Sequence, residues 1–258
     1  MKQDLIPLAC AALSALVVCA AHAEDKTDGQ WRGTGAAALS ATSGNTSTSA
    51  LLLGADAYRA TADDKISLGA SINYARARID GVQKTTANKW GLGGEYDYNL
   101  TPQLFAFGKL GLEGDKVIDL SRRVALAGGL GYKVVNTPDN TFTLYGGLGY
   151  TTDKYGSLQT IGDKTDTTFS RASVYVAEES THKLSESTAF KQRLDVFPGI
   201  SGDKAVLAKF AAGLSVAMNS TLSLSVGLSD AYNSKPAAGL KKNDIGFFTG
   251  VNVKFGAL

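Results

Sequence analysis

The most regular stretches of the chain are Thr221-Leu222-Ser223-Leu224-Ser225-Val226-Gly227-Leu228 and Ile245-Gly246-Phe247-Phe248-Thr249-Gly250-Val251-Asn252-Val253-Lys254-Phe255. In both stretches, apolar residues alternate with small or polar residues at a period of two. Side chains of a β-strand point to opposite faces with that period, so each stretch predicts a strand with one apolar face. No segment of comparable length has helical spacing, and we therefore expect an all-β fold.

The same alternation extends over most of the chain and predicts twelve antiparallel strands. They are expected at 30–41, 47–60, 65–78, 87–99, 102–113, 121–134, 140–153, 168–180, 187–198, 204–217, 221–232 and 243–256. Most of these segments are longer than the roughly 5–6 residues common in soluble sheets, and they reach the roughly 9–11 residues that cross a bilayer.

The connections between the predicted strands alternate in length. Short turns follow the even-numbered strands up to the tenth, and longer polar loops follow most odd-numbered ones, at 79–86, 114–120, 155–167 and 233–242; the loop at 43–46 is a shorter exception. Short turns on one side and long loops on the other are typical of an up-and-down barrel with both chain ends on the periplasmic side.

The first 23 residues predict a secretory signal peptide that is cleaved on export. The segment 5–20 is apolar, and Ala21-His22-Ala23 is a small-x-small cleavage site, so we expect the mature chain to begin at Glu24. Residues 24–29 are then a short polar leader, and 30–258 form the barrel domain. A retained membrane anchor is the alternative, but the apolar run is short for a span of roughly 20 residues.

The composition excludes several classes of function. Cys10 and Cys19 both lie in the signal peptide, so the mature chain is expected to lack disulfides and thiolate metal sites. The 26 basic and 24 acidic residues give a net charge of +2, which argues against a nucleic-acid binder. Because no run of 18 apolar residues follows the signal, no transmembrane helix is expected. No cofactor is predicted.

Alternation alone leaves open which face lies inside, because a soluble barrel buries its apolar face and a membrane barrel turns it to lipid. Tyrosines cluster near strand ends, as in an interfacial girdle; they are Tyr74, Tyr98, Tyr132, Tyr150 and Tyr232. The opposite face carries charges in mid-strand, which a dry core would tolerate poorly. Within the fifth strand, the stretch 104–109 has bulk on both faces, so its inward face stays open. We therefore predict a transmembrane up-and-down antiparallel β-barrel in the outer membrane, in contact with its lipid, rather than a soluble periplasmic barrel or sandwich.

The charged residues of the face opposite the lipid are the candidate functional residues of the lumen, the space enclosed by the barrel. They are Glu95, Asp97, Lys109, Glu113, Arg123, Lys133, Arg171, Lys191, Arg193, Asp195, Lys209 and Lys254. One interpretation is a porin-like lumen that selects small polar solutes, because rings of charge determine permeability. The other is a plugged lumen whose charges pair across neighbouring strands, with Arg171 facing Asp195.

Three motifs make the chain recognisable. Thr42-Ser43-Gly44-Asn45-Thr46, Asp119-Leu120-Ser121-Arg122-Arg123-Val124 leading into 128–132, and Glu178-Glu179-Ser180-Thr181-His182-Lys183-Leu184 resemble the salt-induced outer membrane protein family, a domain-of-unknown-function group of Gram-negative bacteria. The resemblance covers about 31–255. It implies an outer-membrane β-barrel of uncertain role with a link to salt or osmotic stress, and it supplies no catalytic residues. Our first hypothesis for the role is a passive, porin-like or envelope-structural protein.

The last predicted strand resembles the recognition signal of the barrel-assembly machinery, which is therefore an expected partner during biogenesis. Gly250, Val253 and Phe255 fall at the glycine and apolar positions of that signal. Phe248 departs from the pattern, because a polar residue is usual at its position. Residues 256–258 also follow the terminal aromatic residue.

An enzyme is the alternative from another class, since hydrolases of lipid or peptide also occur on outer-membrane barrels. His182 is the one histidine left after the signal and has Ser180, Ser185 and Glu179 nearby, but it lies in a predicted short turn rather than in a pocket. The loop 162–166 resembles a calcium loop only superficially, and the glycines of 145–150 are not followed by a helix that could cradle phosphate. We therefore predict no catalytic, cofactor or metal site; the solute and the oligomeric state stay open.

Overall fold

The computed structural model describes residues 26–42, 47–79 and 81–257. The predicted signal peptide, the loop 43–46 with most of the first family motif, and Leu258 lie outside the described residues. In the described part of the chain, no helix is long and apolar enough to cross a membrane.

Twelve antiparallel strands form one closed barrel in which each strand pairs with its neighbours in sequence and β1 pairs with β12. The strands are β1 Trp31–Thr42, β2 Thr48–Ala60, β3 Asp64–Ile79, β4 Val82–Asn99, β5 Leu104–Asp115, β6 Leu120–Asn136, β7 Asn140–Ile161, β8 Lys164–Lys183, β9 Thr188–Pro198, β10 Val206–Ala217, β11 Leu222–Asn233 and β12 Asn243–Gly256. The predicted fold, an all-β up-and-down barrel of about twelve strands, is confirmed.

One end of the barrel, which we call the turn side, carries both ends of the described chain and turns of three or four residues at 61–63, 100–103, 137–139, 184–187 and 218–221. The opposite end, the loop side, carries the segments 116–119, 199–205 and 234–242. At the turn side, Arg32 Nη1 donates to Asp28 Oδ1 at 2.7 Å. This hydrogen bond holds the pKa of the Asp28 carboxyl well below its usual range.

Several predicted loops are strand in the structure. β4 begins at Val82, so the predicted loop 79–86 is mostly a hairpin, and β7 and β8 continue to Ile161 and from Lys164 through the predicted loop 155–167. Their hairpin carries an irregularity between Lys154 and Gln159. The predictions failed here because an alternation of apolar and polar residues is visible only where one face of the strand must be apolar. These strands continue beyond that region, and there both of their faces carry polar residues.

The two faces of the barrel wall differ sharply. The outward face carries a belt of exposed apolar side chains, among them Leu68, Ile72, Leu126, Leu148, Leu224 and Val226. The inward face carries small, polar and charged side chains and one aromatic cluster. In that cluster the rings of Phe105 and Phe107 of β5 pack edge-on against the Tyr145 ring, with centroids 5.5 and 5.4 Å from the centroid of Tyr145. Of the two bulky faces of the fifth strand, the one with Phe105 and Phe107 therefore points inward.

Candidate functional site in the barrel lumen

Arg193 of β9 is the centre of the first charge network in the lumen. Its guanidinium binds Glu179 Oε2 at 2.6 Å, Glu95 Oε2 at 3.0 Å and Asp195 Oδ2 at 3.0 Å. It also lies 5.0 Å from the centre of the Tyr145 ring. Because Glu95 is on β4, which is not a neighbour of β9, this arginine forms a crossbar through the interior of the barrel.

A second cation reinforces the crossbar from β5. Lys109 Nζ lies 2.7 Å from Asp195 Oδ1 and 3.6 Å from Glu95 Oε2. The Tyr175 hydroxyl donates to the same Asp195 oxygen at 2.5 Å, and Lys191 Nζ lies 3.4 Å from Glu179. Charge-assisted hydrogen bonds from several strands therefore converge on a few carboxylates, which fixes their geometry.

A second network lies nearer the loop side and joins β5 to β8. Arg123 binds Asp153 with both Nε and Nη2, and its Nη1 lies 2.9 Å from Glu113 Oε1. Arg171 Nη2 lies 2.6 Å from Asp153 Oδ2, and Arg171 also binds Asp203 of the segment 199–205. Arg171 and Asp153 are almost completely buried. The expected Arg171–Asp195 pair was wrong, because Asp195 is opposite Ala177 in the β8–β9 register.

Two further cations cross the lumen at the same end. Lys209 of β10 binds Glu113 of β5, and Lys89 of β4 binds Asp244 of β12 and lies 3.1 Å from Asp115 of β5. Neither the Lys209–Glu113 pair nor the Lys89–Asp244 pair joins neighbouring strands. The interior is therefore spanned by ion pairs at more than one level.

The structure brings nine of the twelve sequence-predicted lumen residues into these networks. They are Glu95, Lys109, Glu113, Arg123, Arg171, Lys191, Arg193, Asp195 and Lys209. The other three stand apart: Asp97 is buried, Lys133 Nζ donates to Asn99 Oδ1 at 3.2 Å, and Lys254 is opposite Thr34 in the β1–β12 register.

The set predicted from the sequence leaves out eight further charged residues that belong to the networks or line the cavity. They are Asp56, Lys65, Lys89, Asp115, Asp153, Glu179, Asp203 and Asp244. Asp153 shares the phase of Gly147, Gly149 and Thr151 on β7, so extending the alternation past Tyr150 would have found it. Asp203 lies outside the strands, in a segment where alternation carries no signal.

A cavity beside the crossbar in the lumen has a volume of about 410 Å³. Its lining includes the charged residues Lys65, Glu95, Lys191 and Arg193, and small residues of β3 and β4 such as Gly69, Ser71, Gly91 and Gly93. Glycine and serine in the middle of β3 and β4 leave room beside the crossbar. A cavity of this size with converging polar groups suits a small polar molecule.

The other sequence candidates lie apart from the cavity. His182 is in the last turn-side residues of β8, rather than in a turn, with Nδ1 2.9 Å from Asn140 Oδ1 and its ring stacked on Phe190. The predicted loop 162–166 is a turn at 162–163 followed by β8. Among the residues that the structure describes, no group of three or more His, Cys, Asp or Glu side chains could hold a metal ion.

Comparison of sequences decides the family. A model of a family of proteins of unknown function, DUF481, matches residues 35–255. The chain belongs to the DUF481 family. This confirms the resemblance to a domain-of-unknown-function family, whereas its link to salt stress stays a prediction. Among curated proteins, none matches this DUF481 chain.

A solved structure agrees with the barrel fold. An outer membrane channel from Pseudomonas putida F1 matches with a TM-score of 0.51 and 12% identity, over 93% of this chain and 100% of that one. At that identity the likeness shows the fold alone, and the fold resembles that of an outer-membrane protein. A porin, NanC, matches with a TM-score of 0.46 and 11% identity over 88% and 97% of the two chains, and the translocator domain of the autotransporter NalP from Neisseria meningitidis with 0.47 and 11% over 92% and 90%.

Proposed function

We propose that this chain is an outer-membrane barrel that passes small polar solutes through a narrow lumen crossed by the Arg193 network. The apolar outward belt supports a lipid environment, since a barrel exposing that belt to water would aggregate. The turn side then faces the periplasm and the loop side the exterior. The observation that carries the proposal is the cavity of about 410 Å³ beside the crossbar.

The crossbar makes the proposed channel narrow. Arg193 reaches from β9 to Glu95 on β4, so a solute has to pass beside the bridge, along the small residues of β3 and β4. The proposal combines the two interpretations of the lumen. As in the plugged interpretation, the charges pair with one another; as in the porin-like one, a passage remains along the glycine-rich wall. Charges that line such a passage act on the passing solute.

The last strand carries the proposed assembly signal. Val253 and Phe255 lie on the outward face of β12, where the assembly machinery and lipid could both contact them. Gly250 has a structural reason as well: a Cβ at this position would lie 2.9 Å from the Ala37 carbonyl oxygen of β1. We propose that the barrel-assembly machinery reads the two outward residues, while Gly250 lets the barrel close.

Planar-bilayer conductance of the refolded protein tests the proposed function. We expect discrete small channels for the unaltered chain and larger ones for Arg193→Gln combined with Glu95→Gln, because this pair of changes removes the crossbar without leaving an unpaired charge. Lys183→Gln combined with Asp139→Asn, an exposed pair on the turn side, is the control and should leave the conductance unchanged. Silence of all the folded proteins would show a plugged barrel and overturn the proposal.

A further inference from the structure

The seam between β1 and β12 is paired over only part of its length. The paired residues run from Arg32 opposite Gly256 to Ala37 opposite Val251. Beyond this point both strands continue toward the loop side, β1 to Thr42 and β12 back to Asn243, each held by its other neighbour. Within the part of the chain that the structure describes, these two stretches form no ladder with each other. The barrel is thus closed at the turn-side half of its seam and unzipped at the loop-side half.

The exposure of outward side chains changes where the pairing of β1 with β12 ends. Leu39 of β1 and Phe247 of β12 flank the unzipped stretch and are 82% and 80% exposed. Val251 and Phe255, in the paired half of the same strand, are 44% and 48% exposed. Loss of a cross-strand neighbour explains the difference, because side chains of a paired strand cover one another.

Among the residues that the structure describes, the inward side of the unzipped stretch carries no charged side chain in a small slot there and is mostly apolar. The slot lies at the boundary between the paired and unpaired stretches and retains a void of about 10 Å³, about one water molecule in volume. Its lining is apolar at Ala36, Ala38, Leu52, Phe248 and Gly250, and the buried polar residues Ser225 and Asn252 complete it on the side of the paired half. The slot lies on the same face of β2 as the large cavity, since Leu52 and Asp56 are four residues apart, or about 13 Å along a strand.

Phe248 closes this slot. Its side chain is almost fully buried, and its ring occupies the space where a Cβ on Gly227 would stand. This is the residue that departs from the pattern of the last strand, where a polar side chain is usual. Because the Phe248 ring packs over a glycine, a change of its rotamer would break no polar contact. Movement of this one side chain would therefore open the slot.

We propose that the loop-side half of the β1–β12 seam is a lateral portal through which a single-chain amphipath with a charged headgroup passes between the lumen and the adjoining leaflet. The ion-pair networks offer the headgroup polar partners, and the slot offers the chain an apolar exit. The exit is narrow, which suits one acyl chain rather than two. Unpaired strand edges are costly in hydrocarbon, and the opening lies in the half of the wall nearer the loop side, where water and headgroups can reach them.

The portal can be locked with a disulfide. Extending the register by two residues would place Leu39 opposite Thr249, within the roughly 4.4–6.8 Å between Cα atoms that a disulfide requires. The predicted mature chain has no cysteine of its own, so Leu39→Cys combined with Thr249→Cys, the lock variant, introduces a single pair. Ala37→Cys combined with Val251→Cys, already opposite each other, is the matched control in the paired half.

The experiment measures transfer of a headgroup-labelled lysophospholipid in phospholipid vesicles that contain the full mature protein. Albumin outside the vesicles extracts only the outer leaflet, so continued extraction reports movement from the inner leaflet. We expect the unaltered chain to accelerate this extraction, the oxidised lock variant to return it to the rate of protein-free vesicles, and the control pair to have no effect. Phe248→Ala should accelerate it further.

Each contrary result overturns the portal. Extraction no faster than in protein-free vesicles excludes the route, and equal rates for the oxidised and reduced lock variant place the route elsewhere. Disulfide-linked dimers of the lock variant would show that a second copy pairs with the open edges. Should the lock variant fail to oxidise, an unchanged rate for Phe248→Ala overturns the role of the slot. Ion conductance, measured on the same variants, stays unchanged in all cases, which separates this proposal from the channel itself.

Discussion

Among single residues, Arg193 carries the most interactions in the lumen. Its planar guanidinium has a fixed fork of donors, and this fork reaches three carboxylates from three strands. A lysine has no such fork and would hold fewer of them in place. Burying so many charges costs desolvation energy, and the paired geometry offsets that cost only while every partner is present. The network therefore favours one stagger of the strands.

Residues 71 and 72 of β3 distinguish the two faces of the wall. Ile72 is exposed on the outward belt, and the adjacent Ser71 lines the cavity. We expect Ile72→Arg to destabilise the membrane-inserted barrel by about 2–4 kcal/mol, because the charge would meet lipid near the midplane, and Ser71→Arg to cost far less. Reversible unfolding in urea from phospholipid vesicles measures both. An equal cost for the two variants would mean that the outward belt does not contact lipid.

Alternation in the sequence was enough to place Arg193 or Arg171 on the inward face, but not to name their partners. Arg171 meets Asp153 and Asp203 instead of Asp195. A partner on a distant strand depends on how many strands close the barrel and on their stagger, and one strand's pattern contains neither quantity.

Among the elements, the β7–β8 hairpin extends furthest beyond the belt. Its irregular segment is held by Asp119, whose carboxylate accepts hydrogen bonds from the Ser157 amide at 2.8 Å, the Ser157 hydroxyl and Gln159 Nε2. An apolar cluster lies beside this contact; it consists of Leu120, Tyr155, Ile161, Phe169 and Ala237. The hairpin is therefore part of a packed loop-side structure rather than a free loop.

Removing the Asp119 carboxylate should loosen this hairpin. Asp119 has a φ of +57°, a conformation that glycine adopts without strain, so Asp119→Gly removes the acceptor and keeps the backbone. We expect faster tryptic cleavage after Lys154 in the folded protein. Asp163→Gly, at the exposed hairpin turn, adds the same flexibility without that contact and is the control. Equal cleavage of both variants would show that Asp119 does not hold the hairpin.

Strands inside the belt were predictable to within a few residues, and those outside it were not. β9, predicted at 187–198 and observed as Thr188–Pro198, has Phe190, Leu194 and Val196 on its outward face, in alternation with inward charges. The extension of β7 through Leu158 and Gln159 has no face that must be apolar, so its sequence looks like a loop. The physical reason for the missed strands is thus the end of the apolar outward belt, not weak pairing.

For the molecule as a whole, the charges of the lumen nearly balance. The cavity is lined by six basic residues and five acidic ones. They are Lys65, Lys109, Arg123, Lys191, Arg193 and Lys209, with Asp56, Glu95, Glu113, Glu179 and Asp195. A lumen of this composition should discriminate weakly between cations and anions, because neither sign dominates the field along the passage.

Reversing two of these charges should create selectivity. Lys65→Glu combined with Lys191→Glu changes the lining from six basic and five acidic residues to four and seven. We expect the reversal potential in a salt gradient to shift toward cation selectivity. Lys164→Glu combined with Lys183→Glu changes the net charge equally at exposed positions and should not shift it. A shift of the same size in both double variants would place the effect outside the lumen.

The closed barrel also brings the two ends of the described chain together. The Ala257 amide donates to the Trp31 carbonyl at 3.0 Å, so a linker of a few residues would turn the chain into a covalent ring. Cutting that ring within 137–139 would yield a circular permutant that begins with β7 and ends with β6. In such a permutant the residues of the proposed assembly signal become internal while the pairing of all twelve strands is kept, and biogenesis could be separated from architecture in a single molecule.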